Sequence, residues 1–181
     1  ARTGIAASPA RAALFSPSMA SAAERPVATA ADLERVRNLI GEADAASAAG
    51  RLINPPGNSA YDKYRAALAI DGENKAALAG LAAIPARARA LFDQQLAEGG
   101  LNRALGMLEV VRQIAPADPS LLPMSERLAN AFLDLAETRI GEKLPADAER
   151  ALQSARKLSP ANPRLSPIET KLRGLATPAA G

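Results

Sequence analysis

The chain has 181 residues, with 22 Lys and Arg against 19 Asp and Glu, and it contains neither histidine nor cysteine. Those two absences exclude imidazole bases, thiol nucleophiles, zinc sites built from these ligands and any disulfide framework; with no phosphate-loop motif and no metal-like cluster of carboxylates either, no catalytic residue, metal site or cofactor is expected. A formal charge of +3, 3% aromatics and no interleaved basic run argue against nucleic acid, and no run of about 18 apolar residues is present to cross a bilayer.

Residues 1–30 are rich in Ala, Ser, Pro and Arg, show no sustained period and read as a flexible linker or tail. Their one apolar pair, Leu14-Phe15, reads as part of the tether, with a short docking anchor as the alternative. From Thr29 the pattern changes. Thr29 and Asp32 have capping-box spacing, and Leu33, Val36, Leu39, Ile40 and Ala43 recur at helical intervals, so a helix of about five turns is expected to end near Gly50. The segment from Arg51 to Asn58, with Asn54-Pro55-Pro56-Gly57, reads as a long loop.

An internal repeat follows. Ile70, Ile114 and Leu158 close three similar segments and lie 44 residues apart. Ahead of each comes a small residue, a larger apolar one four later, a small one three beyond and then the aliphatic. The sets are Ala60, Tyr64, Ala67, Ile70; Ala104, Leu108, Val111, Ile114; and Ala148, Leu152, Ala155, Leu158. These steps put all four on one helical stripe, with alanine where two helices approach closely. Gly72, Pro116 and Pro160 stop the three helices two residues later. Long helices are expected before the second and third sets, from about Lys75 to Glu98, kinked at Pro85, and from about Pro119 to Gly141, with Pro123 in the first turn or so. Leu165, Ile168, Leu172 and Leu175 then mark a helix over residues 164–176, which reads as a cap, and residues 177–181 as a tail.

The stripe, written small-x3-aromatic or Leu-x2-small-x2-aliphatic-x-Pro, resembles the second helix of a tetratricopeptide (TPR) repeat, and Gly99-Gly100 sits where that family turns between its two helices. The likeness covers about residues 58–160 and departs in its spacing of 44, against the usual ~34. It implies an all-α fold: a right-handed superhelical stack of antiparallel helix pairs over residues 31–176, with pairs at 31–72, 75–116 and 119–160 and the cap at 164–176. Leu52 to Leu81 is also similar to a stretch in TPR-like modules from periplasmic regions of gammaproteobacterial envelope proteins, including receptor-type Ser/Thr kinases and TonB-like transducers. That likeness implies a periplasmic domain tethered through a membrane segment upstream of Ala1, with the cytoplasm as the alternative.

By the same resemblance the first helices line a partner-binding groove. Its positions carry over as Arg37 and Asp44 in the first pair, Arg89 and Asp93 in the second, and Asn130, Leu133 and Glu137 in the third. Acidic Asp93 and Glu137 argue against the clamp of Lys, Asn and Arg with which some members hold an acidic chaperone tail. The expected function is a non-catalytic protein–protein interaction scaffold that holds a protein or peptide. The alternatives are a structural spacer or self-assembling subunit of an envelope machine, forming a homo-oligomer or larger assembly, and a ligand-sensing domain of a receptor kinase.

Overall fold

The computed structural model describes residues 29–176, which form seven helices and no strand. The linker up to residue 28, its Leu14-Phe15 pair and the tail at 177–181 lie outside the described residues. The helices are α1 (Ala30–Ala48), α2 (Ala60–Ile70), α3 (Lys75–Ala97), α4 (Leu101–Ile114), α5 (Leu121–Gly141), α6 (Pro145–Leu158) and α7 (Leu165–Ala176). The closest packing is of α1 on α2, α3 on α4 and α5 on α6, with smaller contacts joining each pair to the next.

Local sequence explains most helix ends. At α1 the Thr29 N–H donates to Asp32 Oδ2 at 3.0 Å and the Asp32 N–H donates to Thr29 Oγ1 at 3.1 Å, satisfying two of the helix's unpaired donors reciprocally. The Thr29 hydroxyl also holds the Asp32 carboxyl below its usual range. α3 runs unbroken through Pro85. α5 begins at Leu121, two residues after the expected start, because Asp118 Oδ1 accepts from the Ser120 N–H at 2.9 Å and holds Pro119-Ser120 in a turn.

The repeat is written into the backbone as well as the side chains. The first helix of each pair ends on a residue in the left-handed region: Gly50 at φ 74°, Gly99 at φ 73° and Lys143 at φ 60°. The next residue's N–H then reaches back to the last turn in all three: Arg51 to Ala46 O, Gly100 to Gln95 O and Leu144 to Arg139 O, at 2.8–2.9 Å. This is the paired bonding that closes a helix through a left-handed residue. Between pairs the turn recurs too, with Asn74 N–H to Asp71 O, Asp118 N–H to Ala115 O and Asn162 N–H to Ser159 O at 2.9–3.1 Å. Gly99 and Lys143 are 44 residues apart, but Gly50 and Gly99 are 49 apart. The five extra residues sit in the loop after α1, where the Ala60 N–H bonds Arg51 O at 2.8 Å and Asp62 gathers the Gly57 N–H at 2.7 Å and the Ser59 hydroxyl at 2.6 Å. The Ser59 contact, more than any other, holds the Asp62 carboxyl low.

The core is the stripe read from sequence. Ala60, Ala67, Ala104, Leu108, Val111, Ala148 and Ala155 are fully buried, Tyr64 and Leu152 nearly so, and Ile70, Ile114 and Leu158 pack at its edge. α2 meets α3 where the Tyr64 ring lies on Gly80, and a Cβ on Gly80 would overlap that ring. In α7, Leu165, Ile168 and Leu172 are buried while Leu175 is 39% exposed.

Gly80→Ala sets helix propensity against packing. Alanine gains about 1 kcal/mol in a helix interior, but overpacking costs about 1–3 kcal/mol, and the buried Tyr64 ring has little room to withdraw. Net destabilisation in a denaturant titration is expected, and a more stable Gly80→Ala protein would disprove the packing. Lys143→Gly should do the opposite. A left-handed lysine costs about 1–2 kcal/mol, part of which glycine returns through unfolded-state entropy, so a gain of about 0.5–1 kcal/mol is expected in the same measurement.

Candidate partner-binding surface

Asp44, Asp93 and Glu137 each lie six residues before the left-handed residue that ends their helix, so the three acids occupy one register position. In the second and third pairs the acid holds a cation on the following first helix: Asp93 to Arg127 at 2.8 Å, and Glu137 to Lys171 at 2.8 Å. Arg127 and Lys171 are themselves 44 residues apart. One ion pair therefore recurs between alternate helices, α3 with α5 and α5 with α7. The position 44 before Arg127 is Ala83, and Asp44 instead accepts from the Tyr64 hydroxyl at 2.5 Å.

Other candidates are also engaged within the chain. Arg89 pairs with Asp118, whose carboxyl is held low chiefly by the Ser120 hydroxyl and further by Arg89. Asn130 accepts from Asn162 Nδ2 at 3.0 Å. Arg164 bridges Asp134 at 2.7 Å and Glu137 at 2.8 Å, so Lys171 and Arg164 together hold the Glu137 carboxyl below its ordinary range. A carboxyl kept ionised between two cations is a poor proton donor near neutrality. Arg37 is exposed, and among the described residues its Nε reaches only the carbonyl of Leu33, at 3.3 Å.

Leu133 does not belong to this surface. It is fully buried, as are Ala129 one turn before it and Ala136 one turn after, so it lies on the core stripe of α5 and no partner can touch it. Conversely, Arg127, Arg164 and Lys171 join the surface without standing out as isolated residues. The signal for two of them is the 44-residue comparison applied to charges as well as to apolar positions.

Among the described residues no group of three or more Asp or Glu is placed to hold a metal ion, and no helix is long and apolar enough to cross a membrane. Compared with known proteins, the chain matches no family model, no curated protein and no solved structure.

The Tyr64–Asp44 contact can be read directly. Burial, then the hydrogen bond to Asp44 and its charge, push the Tyr64 hydroxyl from about 10 up to about 12. Because the folded value lies above the unfolded one, this group's contribution to stability is complete below about pH 10 and is lost as pH rises from about 10 to about 12. The chain has two tyrosines, so Tyr61→Phe leaves a single phenol to follow by near-ultraviolet absorbance. A midpoint near 12 is expected, lowered by Asp44→Asn; an ordinary midpoint near 10 in the folded protein would show that the buried contact does not form.

Proposed function

We propose that this chain is a non-catalytic protein–protein interaction scaffold, built as a TPR-like stack of antiparallel helix pairs, and that it forms the partner-binding module of a larger, membrane-anchored envelope protein. The observation that carries this reading is the coincidence of one period in three independent features: the apolar stripe, the helix-ending turn and the ion pair between first helices. A chain that repeats its backbone, core and charge at the same interval is a set of like units stacked on one another, and such stacks act through extended surfaces.

Chain reach supports antiparallel pairing. α3 has 23 residues, or about 34 Å at 1.5 Å per residue, while residues 98–100 span at most about 10 Å. α4 contacts α3 after that short link, and a return beside α3 is the arrangement this reach favours. The right-handed superhelix, the periplasmic location and the upstream membrane tether follow from the resemblance of the stripe and of the Leu52 to Leu81 segment. The first-helix surface enters this reading as a scaffold whose charges mostly satisfy one another.

Self-assembly keeps one observation in its favour. Leu78 and Leu122 are 48% and 68% exposed, lie 44 residues apart and sit in the first turns of α3 and α5, offering a repeated apolar point to a neighbouring copy.

Capture with the full chain as bait, from envelope and from cytosolic extracts in parallel, tests both readings together with sedimentation. A saturable partner from the envelope extract and a monomeric chain are expected. Partners from the cytosolic extract alone would move the compartment. Concentration-dependent oligomers abolished by Leu122→Ser, with no partner from either extract, would replace the scaffold with the self-assembling subunit.

A further inference from the structure

Two clefts open on the surface of the second and third helix pairs. One, of about 500 Å³, lies over α3 and α4 against Gly50; the other, of about 550 Å³, lies over α5 and α6 against Asn102. They are the same feature in successive repeats. Leu91 and Leu135 line them in turn, as do Gln95 and Arg139, Arg103 and Asp147, and Met107 and Ala151, each couple 44 residues apart.

Charge is divided unevenly between these clefts and the first-helix surface. On that surface Arg89, Arg127, Arg164 and Lys171 are all ion-paired, and Arg37 alone of the surface cations named above meets no carboxylate among the described residues. The sequence has two short basic clusters, Arg87-Ala88-Arg89 and Arg156-Lys157, and the fold splits both. Arg89 goes to Asp118 and Arg156 to Glu169, whereas Arg87 and Lys157 line the clefts. Among the described residues neither meets a carboxylate, nor does Arg103. Asp147, the one carboxylate lining either cleft, is already held by Arg150. In the first cleft the Oε1 of Gln95 is also buried without a partner.

We propose that this pair of clefts is the docking site of the scaffold and that its occupant is a peptide segment of a partner protein alternating acidic and apolar side chains. The assignment rests on the scaffold reading and names its ligand class. Carboxylates would meet Arg87, Arg103 and Lys157, while apolar side chains enter beside Leu91, Met107 and Leu135. Unpaired cations beside an apolar floor select such a segment, because charge complementarity sets register and the floor supplies contact area. Nucleic acid fits less well: the free cations are few, and Phe132, the one aromatic lining the clefts, is buried and offers no face for a base to stack on.

The test uses the full chain and an octapeptide of alternating glutamate and leucine, followed by amide chemical shifts. Shifts clustered at Leu91, Met107, Leu135 and Ala151 are expected, with affinity falling about tenfold or more in the triple variant Arg87→Glu, Arg103→Glu, Lys157→Glu and a lysine–leucine octapeptide failing to compete. A triple alanine variant of the same residues serves if the reversed one loses its helical circular dichroism. Shifts at Arg37, Asp93 and Glu137 instead, an affinity unchanged in the triple variant, or displacement by a single-stranded oligonucleotide at lower concentration would each overturn the assignment. Extract capture separates the two levels. A partner held equally by the native chain and the triple variant leaves the scaffold standing and removes the clefts, while no partner for the native chain removes the scaffold as well.

Discussion

Ala60, Ala104 and Ala148 have no exposed surface, and each occupies the same place on its helix. A larger side chain there would hold the second helix of the pair away from the first, and a smaller one would leave a void. This close approach through methyl groups fixes how far apart the helices of a pair sit and therefore how each pair meets the next. Tyr64 on Gly80 is the same constraint met differently: at one junction between pairs a ring takes the space, and the facing residue has given up its Cβ altogether.

Once spacing is fixed by packing, charges can recur. Asp93–Arg127 and Glu137–Lys171 form across successive first helices because the repeat delivers both partners to the same separation twice. Exposed pairs of this kind contribute about 0–1 kcal/mol each, so they do not hold the helix pairs together. Their effect is on recognition, since a surface whose charges, Arg37 apart, are mutually engaged presents little net attraction, and unpaired charge elsewhere gains weight by comparison. The fold neutralises one cation of each basic cluster and leaves the other in a cleft, an asymmetry produced by helix geometry alone.

What could be read from sequence follows the range of each interaction. The Thr29–Asp32 capping box, the stripes and the turns after Ile70, Ile114 and Leu158 depend on residues within about one or two helical turns, and the structure has them where spacing put them. The burial of Leu133 depends on the same spacing, since Ala129 and Ala136 mark its face, but a groove register carried over from a family with a shorter repeat put it on the outside. Arg127 and Lys171 are different in kind. Nothing near them in sequence names their partners, and only subtraction of the period reveals that both meet an acid. The clefts are further removed still, because their lining comes from two helices and the preceding turn, and the pairing of Arg89, Arg156 and Arg150 decides which cations are left.

The same subtraction explains α7. Pro116-Ala117-Asp118-Pro119 with Leu121 and Pro123 reappears 44 residues later as Pro160-Ala161-Asn162-Pro163 with Leu165 and Pro167, so α7 begins as a first helix in the mould of α5. It then diverges at particular positions. Ser125 and Ala129 of α5 are buried, and their counterparts in α7 are Glu169 and Arg173; Glu169 turns to Arg156 on α6, and Arg173 is exposed. The inward residues Ile168 and Leu172 keep their apolar character and are buried. α7 thus retains the inner half of the repeat pattern, burying Ile168 and Leu172, while the positions that α5 buries with Ser125 and Ala129 carry charged side chains instead.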